Sequence, residues 1–353
     1  MLKVRVVGDP AALAGAWQEL ADDAVEPNPF YEPWMLLPAL EAWRAPLRLV
    51  FIEDAGALVG FFPLERAWSY RGVALPHLRL WRYPHCFLGT PLVRRGYAAE
   101  CLRALRAWLK NDILHWRDIG ADGPFAAALD ETVGCFHLHP YKRSRALLRR
   151  HADAEGYIAQ ALPKASRKEF ARLQRRLSEQ GPVAFSNREQ IDRFLELESA
   201  GWKGERGSAL GCSVAGARFF RSMAMQAAAR GRLMMLSLEL DGRPVAMKCN
   251  LLAGEGAFAF KIAYDEAYAR FSPGTLLELQ NIRAFHARGE LRWMDSCAAP
   301  DHFMLNRLWL ERRALTDVLA ATGSAPGLAL SSLSMLHRAW RGLRGAAPAP
   351  AAT

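Results

Sequence analysis

The residues best able to do chemistry lie within 257–277, AFAFKIAYDEAYARFSPGTLL. Residues 257–264 alternate like a half-buried strand, and 265–270 read as a polar turn. After Phe271–Thr275 a helical pattern, LLELQNIRAFHARG, runs from Leu276 and stops at Gly289. Ser272 suits an N-cap, with Pro273 at the first helical position, where a missing N–H costs nothing. Gly274 lets backbone approach a ligand closely because it has no Cβ. A helix start of this kind presents backbone N–H groups and the positive end of a dipole, which suits a phosphate or pyrophosphate. An ordinary capped strand-to-helix connection is the other reading of the same pattern.

Further ionisable groups flank this stretch. Lys261 sits in an otherwise apolar strand, so it either faces a cleft and binds an anion or lies on an open sheet face. Lys203, beside Trp202 and between glycine-containing turns, either holds a substrate or is solvated. Asp265, Glu266 and Asp295 are the nearest carboxylates; an Asp in a turn also serves simply as a cap. Metal and nucleophile constellations are missing from the sequence. There is no CxxC, HxxxH, GxSxG or Walker loop, and His137 and His139 read as structural at a strand end.

The composition places limits on partners. With 353 residues, 51% apolar, there is room for two domains with real cores. A net charge of +10 favours polyanionic partners: a nucleotide cofactor, nucleic acid or an anionic membrane surface. The six scattered cysteines and the start MLKVRVVGDP, which lacks an apolar leader core, fit a reduced, cytoplasmic protein. No run of apolar residues is long enough to span a membrane.

The elements that must position these residues repeat in style. Paired strands at 47–53 and 58–65, then a strand at 73–81, a helix at 97–110 and a strand at 114–120 make up the first half. The second half has a meander at 233–240, 243–252 and 257–264, then the helix after Gly274, a strand at 291–295 and a last strand near 310–317. This order implies two copies of one α+β unit with a seam near 150–165. Helices are expected at 188–201 and 215–231, and a short strand at 135–138. Ser166-Arg167-Lys168-Glu169 has capping-box spacing and opens a helix with six Lys/Arg between 164 and 176. That helix either tracks RNA phosphates or faces water. Beyond 323, a basic helix at 328–344 precedes a Pro/Ala-rich end. The helix either packs on the second domain or makes peripheral contact with a membrane.

The run KIAYDEAYARFSPGTLL at 261–277, with Asp295 one helix later, resembles the C-terminal domain of the CelD-like acyltransferases. These belong to the GNAT superfamily and are related to the Fem peptidyltransferases. Trp202-Lys203-Gly204 followed by Gly207-Ser208-Ala209 resembles a second stretch of that group, and Phe61-Phe62-Pro63-Leu64 resembles a strand of its N-terminal domain. The Tyr-Lys or Phe-Lys pair usual after the Asp is missing, since Ser-Cys-Ala-Ala-Pro follows Asp295. The resemblance implies two tandem GNAT-like domains, 1–155 and 156–322, and a tail 323–353. Each domain would be a mixed, mostly antiparallel twisted sheet flanked by helices.

The activity implied is direct attack of an amine or hydroxyl on the thioester of acetyl-CoA or another acyl-CoA, with no metal. The acceptor would be a sugar or lipid precursor of exopolysaccharide or envelope. Ser272, Gly274, Thr275 and Leu276 would hold the cofactor diphosphate, and backbone at Ile262 and Ala263 the thioester. Tyr264, Asp265 and Asp295 would manage protons, while Trp202, Lys203, Lys261 and Tyr268 would contact substrate. Two alternatives stand beside this. One is a Fem-like transferase partnered by aminoacyl-tRNA, and the other is a module that binds a nucleotide or polysaccharide precursor without turnover.

Overall fold

The computed structural model describes residues 2–133, 137–207, 209–328 and 330–332, without the side chains of 133–141, 202 and 203. The expected strand at 135–138 falls partly outside these residues, as does most of the basic helix at 328–344 and all of the Pro/Ala-rich end; 324–328 and 330–332 are helical.

In chain order the first elements are β1 (Lys3–Val7), α1 (Ala14–Asp22), α2 (Pro33–Ala42), β2 (Leu47–Asp54), β3 (Ala57–Tyr70) and β4 (Val73–Leu80). They are followed by β5 (Leu92–Val93), α3 (Ala98–Leu109), β6 (Ile113–Gly120), α4 (Pro124–Val133) and β7 (His137–Arg149). Next come α5 (Ala154–Ala161), α6 (Lys164–Ser178), β8 (Val183–Ser186), α7 (Ile191–Ala200), α8 (Trp202–Glu205) and α9 (Val214–Ala229). The last are β9 (Leu233–Leu240), β10 (Arg243–Ala253), β11 (Gly256–Tyr264), α10 (Pro273–Ala287), β12 (Trp293–Asp295), α11 (Phe303–Leu308) and β13 (Glu311–Ala321).

Two compact units interleave along the chain. One holds Met1–Glu26, Pro46–Lys142 and Leu315–Thr353, and the other Pro27–Ala45 and Arg143–Ala314. Within the first, strands run β1-β2-β3-β4-β6-β13, with β4 and β6 parallel and the other neighbours antiparallel. Within the second, they run β8-β9-β10-β11-β12-β7, with β11 and β12 the parallel pair. The α+β duplication expected from the order of elements is therefore present as two sets of strands of matching topology. In each unit, an antiparallel strand from a distant part of the chain flanks the parallel pair.

The period of two along each strand divides the cores. Phe61 turns to α1, where Trp17 lies 4.5 Å away between ring centroids, while its neighbour Phe62 joins the core under α3 and α4 with Trp116. In the second unit α10 covers one sheet face, over Leu236, Ala246, Leu252 and Ala257. The opposite face is aromatic: Phe258 meets Phe30, and Phe260 stacks on Phe220, under α7 and α9. Each buried Phe contributes about 1.5–3 kcal/mol.

Two local expectations are corrected. The capping box at 166–169 does not form, because α6 starts two residues before Ser166, at Lys164 behind Pro163. Ser166 Oγ instead accepts from Arg307, and Glu169 pairs with Arg172 at 2.6 Å. Residues 266–271 are a 3-10 helix rather than a simple turn, opened by Asp265, whose carboxylate accepts from the Ala267 N–H at 3.0 Å.

In the first unit, His77 and His115 lie on neighbouring strands with ring centroids 5.7 Å apart. Burial lowers the His77 pKa, and the nearby His115, Arg79 and Arg117 lower it too, against the hydrogen bond to the Leu75 carbonyl, which raises it. The folded state thus resists a proton that the unfolded chain accepts below about pH 6.5. Stability is fully present above that pH and is lost as pH falls below it. Urea unfolding at pH 5.5 and 7.5 checks this: His77→Gln is expected to reduce the difference between the two.

Candidate functional site

β11 leaves its parallel neighbour part-way along its length. β11 and β12 pair only through Gly256–Trp293, Ala257–Met294 and Phe258–Asp295. Beyond that, Ser296 N–H still donates to the Ala146 carbonyl, so the chain after β12 follows β7, while β11 continues along β10 to Tyr264. The two strands fork.

A bulge sits at the point of divergence. Cys249 faces Lys261 but Asn250 faces Ala259, so Phe260 is an extra residue. Phe260 and Lys261 consequently look to the same side of the sheet, and Lys261 reaches Glu198 of α7 at 3.1 Å. This accounts for a lysine in an apolar strand: it neutralises a carboxylate whose side chain is fully buried, and whose other oxygen accepts from the Leu210 N–H. Past the bulge, Ile262 and Tyr264 turn to the side of α10.

The backbone pattern also follows. Asp265 N–H donates to the Val245 carbonyl, which fixes Asp265–Val245, and by alternation Ala263–Met247, as the hydrogen-bonded pairs. The amides of Ile262 and Tyr264 therefore point away from β10, into the fork, and that of Ala263 does not.

α10 begins at this opening. A Cβ on Gly274 would stand 3.6 Å from the Tyr264 ring, ordinary contact with nothing else near. Pro273 occupies the first turn as expected. Ser272, however, is left-handed, with φ 52° and ψ 50°, and its side chain does not cap. Its carbonyl instead accepts from Thr275 and Leu276 at 3.0 and 3.1 Å, and its own N–H donates to Ala269. Of the four backbone amides expected to form a cradle, those of Ser272, Thr275 and Leu276 are thus engaged in the turn, which leaves that of Gly274. Gly201, just before α8, approaches from the other side: a Cβ there would lie 3.7 Å from the Tyr264 carbonyl and 3.4 Å from Glu266. The backbone start of α8, with Trp202 and Lys203, is therefore near the end of β11. Tyr268, half-buried in the 3-10 helix, packs on the α10 core.

Asp295 ends the other arm of the fork and is wholly buried. It accepts from Arg145 at 2.7 Å, from Arg313 at 2.9 Å and from the Cys297 N–H at 2.9 Å. Burial would raise its pKa, but Arg145 and Arg313 outweigh that and hold it below the ordinary aspartate value. A carboxylate fixed in this way anchors two cations. A second buried cluster ties α10 to the sheet. Lys248 reaches Glu278 at 2.6 Å, and Glu278 also accepts from Asn281 and Trp309, while Asn281 accepts from Asn250.

Residues 164–303, which contain the whole fork, match the family model described as acetyltransferase (GNAT) domain. This stretch is GNAT-like. No curated protein matches the chain. Among solved structures, FemX is similar at 9% identity, with a TM-score of 0.59 over 90% of this chain and 96% of that one. A conserved protein of unknown function from Bacteroides thetaiotaomicron is 10% identical, with a TM-score of 0.57 over 91% and 100%. The C-terminal domain of a putative lysylphosphatidylglycerol synthetase from Agrobacterium fabrum is 12% identical, with a TM-score of 0.54 over 93% and 97%. These likenesses concern the fold.

The first unit repeats the fork but fills it. β4 and β6 pair in parallel only at Leu78–Leu114 and Arg79–His115. The segment before β5 then enters: Gly89 N–H donates to the Asp118 carbonyl at 3.0 Å, and Thr90 accepts from the Gly120 N–H at 3.1 Å. Arg82 pairs with Asp118 and holds the Cys86 carbonyl. The fit requires glycine, since a Cβ on Gly89 would lie 1.9 Å from the Arg117 carbonyl oxygen.

Sequence reasoning passed over Arg145, Arg313, Glu198 and Glu278. The rule that flagged Lys261, a charge inside an apolar strand, applies equally to Arg145 before Ala146-Leu147-Leu148. Glu198 and Glu278 lie in helices, where an acidic residue carries no such signal.

Proposed function

We propose that the second unit is an acyl-CoA-dependent acyltransferase of the GNAT type, with its donor in the β11–β12 fork. The observation that supports this best is the fork itself, opening at the Phe260 bulge beside the start of α10. In this reading the diphosphate rests on the Gly274 amide and the positive end of α10. The thioester oxygen takes the Tyr264 N–H as charge develops on it. The acceptor's amine or hydroxyl attacks the carbonyl carbon, the C–S bond breaks, and the Tyr264 hydroxyl protonates the departing thiolate. Asp265, half-exposed at the mouth, takes the proton of the attacking group. Asp295 holds the far arm in place. Trp202 and Lys203 stand on the acceptor side, and a sugar or lipid precursor of exopolysaccharide or envelope is the acceptor class this reading favours.

Acetyl-CoA, longer acyl-CoAs and aminoacyl-tRNA are compared by thermal shift and calorimetry. A CoA species at 100 times its Kd is expected to add about 2.7 kcal/mol of stability. One molecule binds per chain, because the first unit's fork is filled. Gly274→Val is expected to abolish that stabilisation while leaving the free protein's melting temperature nearly unchanged. Stabilisation by tRNA and by no CoA species would replace this reading with the Fem-like one. Binding of CoA without transfer to any acceptor would leave a non-catalytic module.

A further inference from the structure

β1 ends the strand order of the first unit, and among the described residues its outer edge pairs with no strand. Its register on β2 is unbroken, so side chains alternate regularly along it. Lys3, Arg5 and Val7 share one face. Val4 and Val6 share the other, opposite Ile52 and Val50, which belong to the core under α3. Between β1 and α3 lies a groove of about 470 Å³ walled by Leu2, Val4, Ala104, Ala107 and Trp108. Val6, on the same face as Val4, is 49% exposed. Open edges are commonly blunted by a proline, a bulge or a charge. β1 has neither proline nor bulge, and the charge of Arg5 is taken up by Glu53 of β2.

We infer that β1 pairs antiparallel with β1 of a second copy of this chain, centred on Val6, so that the sheet continues across a two-fold axis. An axis normal to the sheet keeps each face on its own side, so opposed residues must share a face and the centre must be a residue. Centres at Val4, Arg5 and Val6 keep most of the strand paired. Centring on Val4 opposes Lys3 to Arg5, and centring on Arg5 opposes that residue to itself. Like charges directly opposed are destabilising. Centring on Val6 opposes Arg5 to Val7 and carries Lys3 to Asp9 of the second copy, just past the bend at Gly8. Asp9 is exposed there and held by accepting from the Ala11 N–H at 3.1 Å. Val6 then meets its own counterpart, and Val4 meets Gly8, beside which a Cβ would find nothing within 4 Å. The groove of each copy opens onto this joint. Charges along 3–9 thus complement themselves about one axis, which favours a second copy over a strand of unrelated sequence. The inference is independent of whether the fork binds CoA.

Sedimentation equilibrium of the full chain tests this. At about 100 µM, well above a micromolar Kd, the average mass is expected near that of two chains, falling on dilution. Val6→Lys sets two cations against each other at the axis and is expected to weaken association by about 100-fold. Lys3→Glu opposes acid to acid at both ends and is expected to weaken it about tenfold. Adding Asp9→Lys to Lys3→Glu reverses both charges and should restore the dimer. Melting temperatures near that of the parent are expected for these exposed positions, and would show that the variants remain folded. A single-chain mass at that concentration overturns the inference, including the case in which β1 takes only a strand from another protein. A dimer that Val6→Lys leaves intact overturns it too, as does a failure of Asp9→Lys to rescue Lys3→Glu.

Discussion

Replacing Asp295 by alanine is expected to cost about 3–5 kcal/mol of folding stability. Arg145 and Arg313 would both lose the carboxylate they share, and the Arg145 side chain is only 1% exposed. A buried guanidinium left without its partner cannot recover its hydration. Against a total of about 5–15 kcal/mol for an ordinary domain, the loss should move the urea midpoint sharply. Asp295→Asn keeps the shape and removes the charge, so it should be nearly as damaging. The alternative, in which Asp295 is mainly a proton acceptor, predicts a folded and inactive Asn variant. A urea midpoint unchanged in Asp295→Asn would sink the anchoring account.

The second large effect is expected at Lys248. Its side chain is 2% exposed and that of Glu278 is fully buried. Lys248→Met should cost about 3–5 kcal/mol, because Glu278 keeps its Asn281 and Trp309 donors but loses its counter-charge. Removing both charges in Lys248→Met/Glu278→Leu should recover most of that loss, since buried pairs are often replaced by apolar residues at little net cost. The double variant also separates stability from position. Glu278 lies one turn after Gly274, so the pair fixes how α10 presents its first turn to the fork. A stable double variant with weakened CoA affinity would assign the pair a positioning role; unchanged affinity would make it purely structural.

The alternation of 257–264, the helix start at Pro273 and the duplication were all legible from periodicity and breaker residues. These signals are local, carried by side chains a few positions apart. The left-handed Ser272 was not legible, because an N-cap preference describes the usual conformer and here the preceding 3-10 turn dictates another. Nor was the bulge at Phe260, since one extra residue in a strand leaves the apolar pattern almost unchanged. The roles of Asp295 and Lys261 turned on partners 150 and 63 positions away, a separation that no windowed pattern sees. The interleaving of the units was hidden for the same reason: β13 reads as a strand wherever it pairs.

That interleaving bears on how the chain could be divided. A single break near 155 would deprive the N-terminal half of the strand that covers β6, and the C-terminal half of α2 and of the strand beside β12. Each fragment would present a raw sheet margin, open to pairing with whatever strand it met first. Each unit draws on both halves of the chain, so a break there would leave neither unit complete.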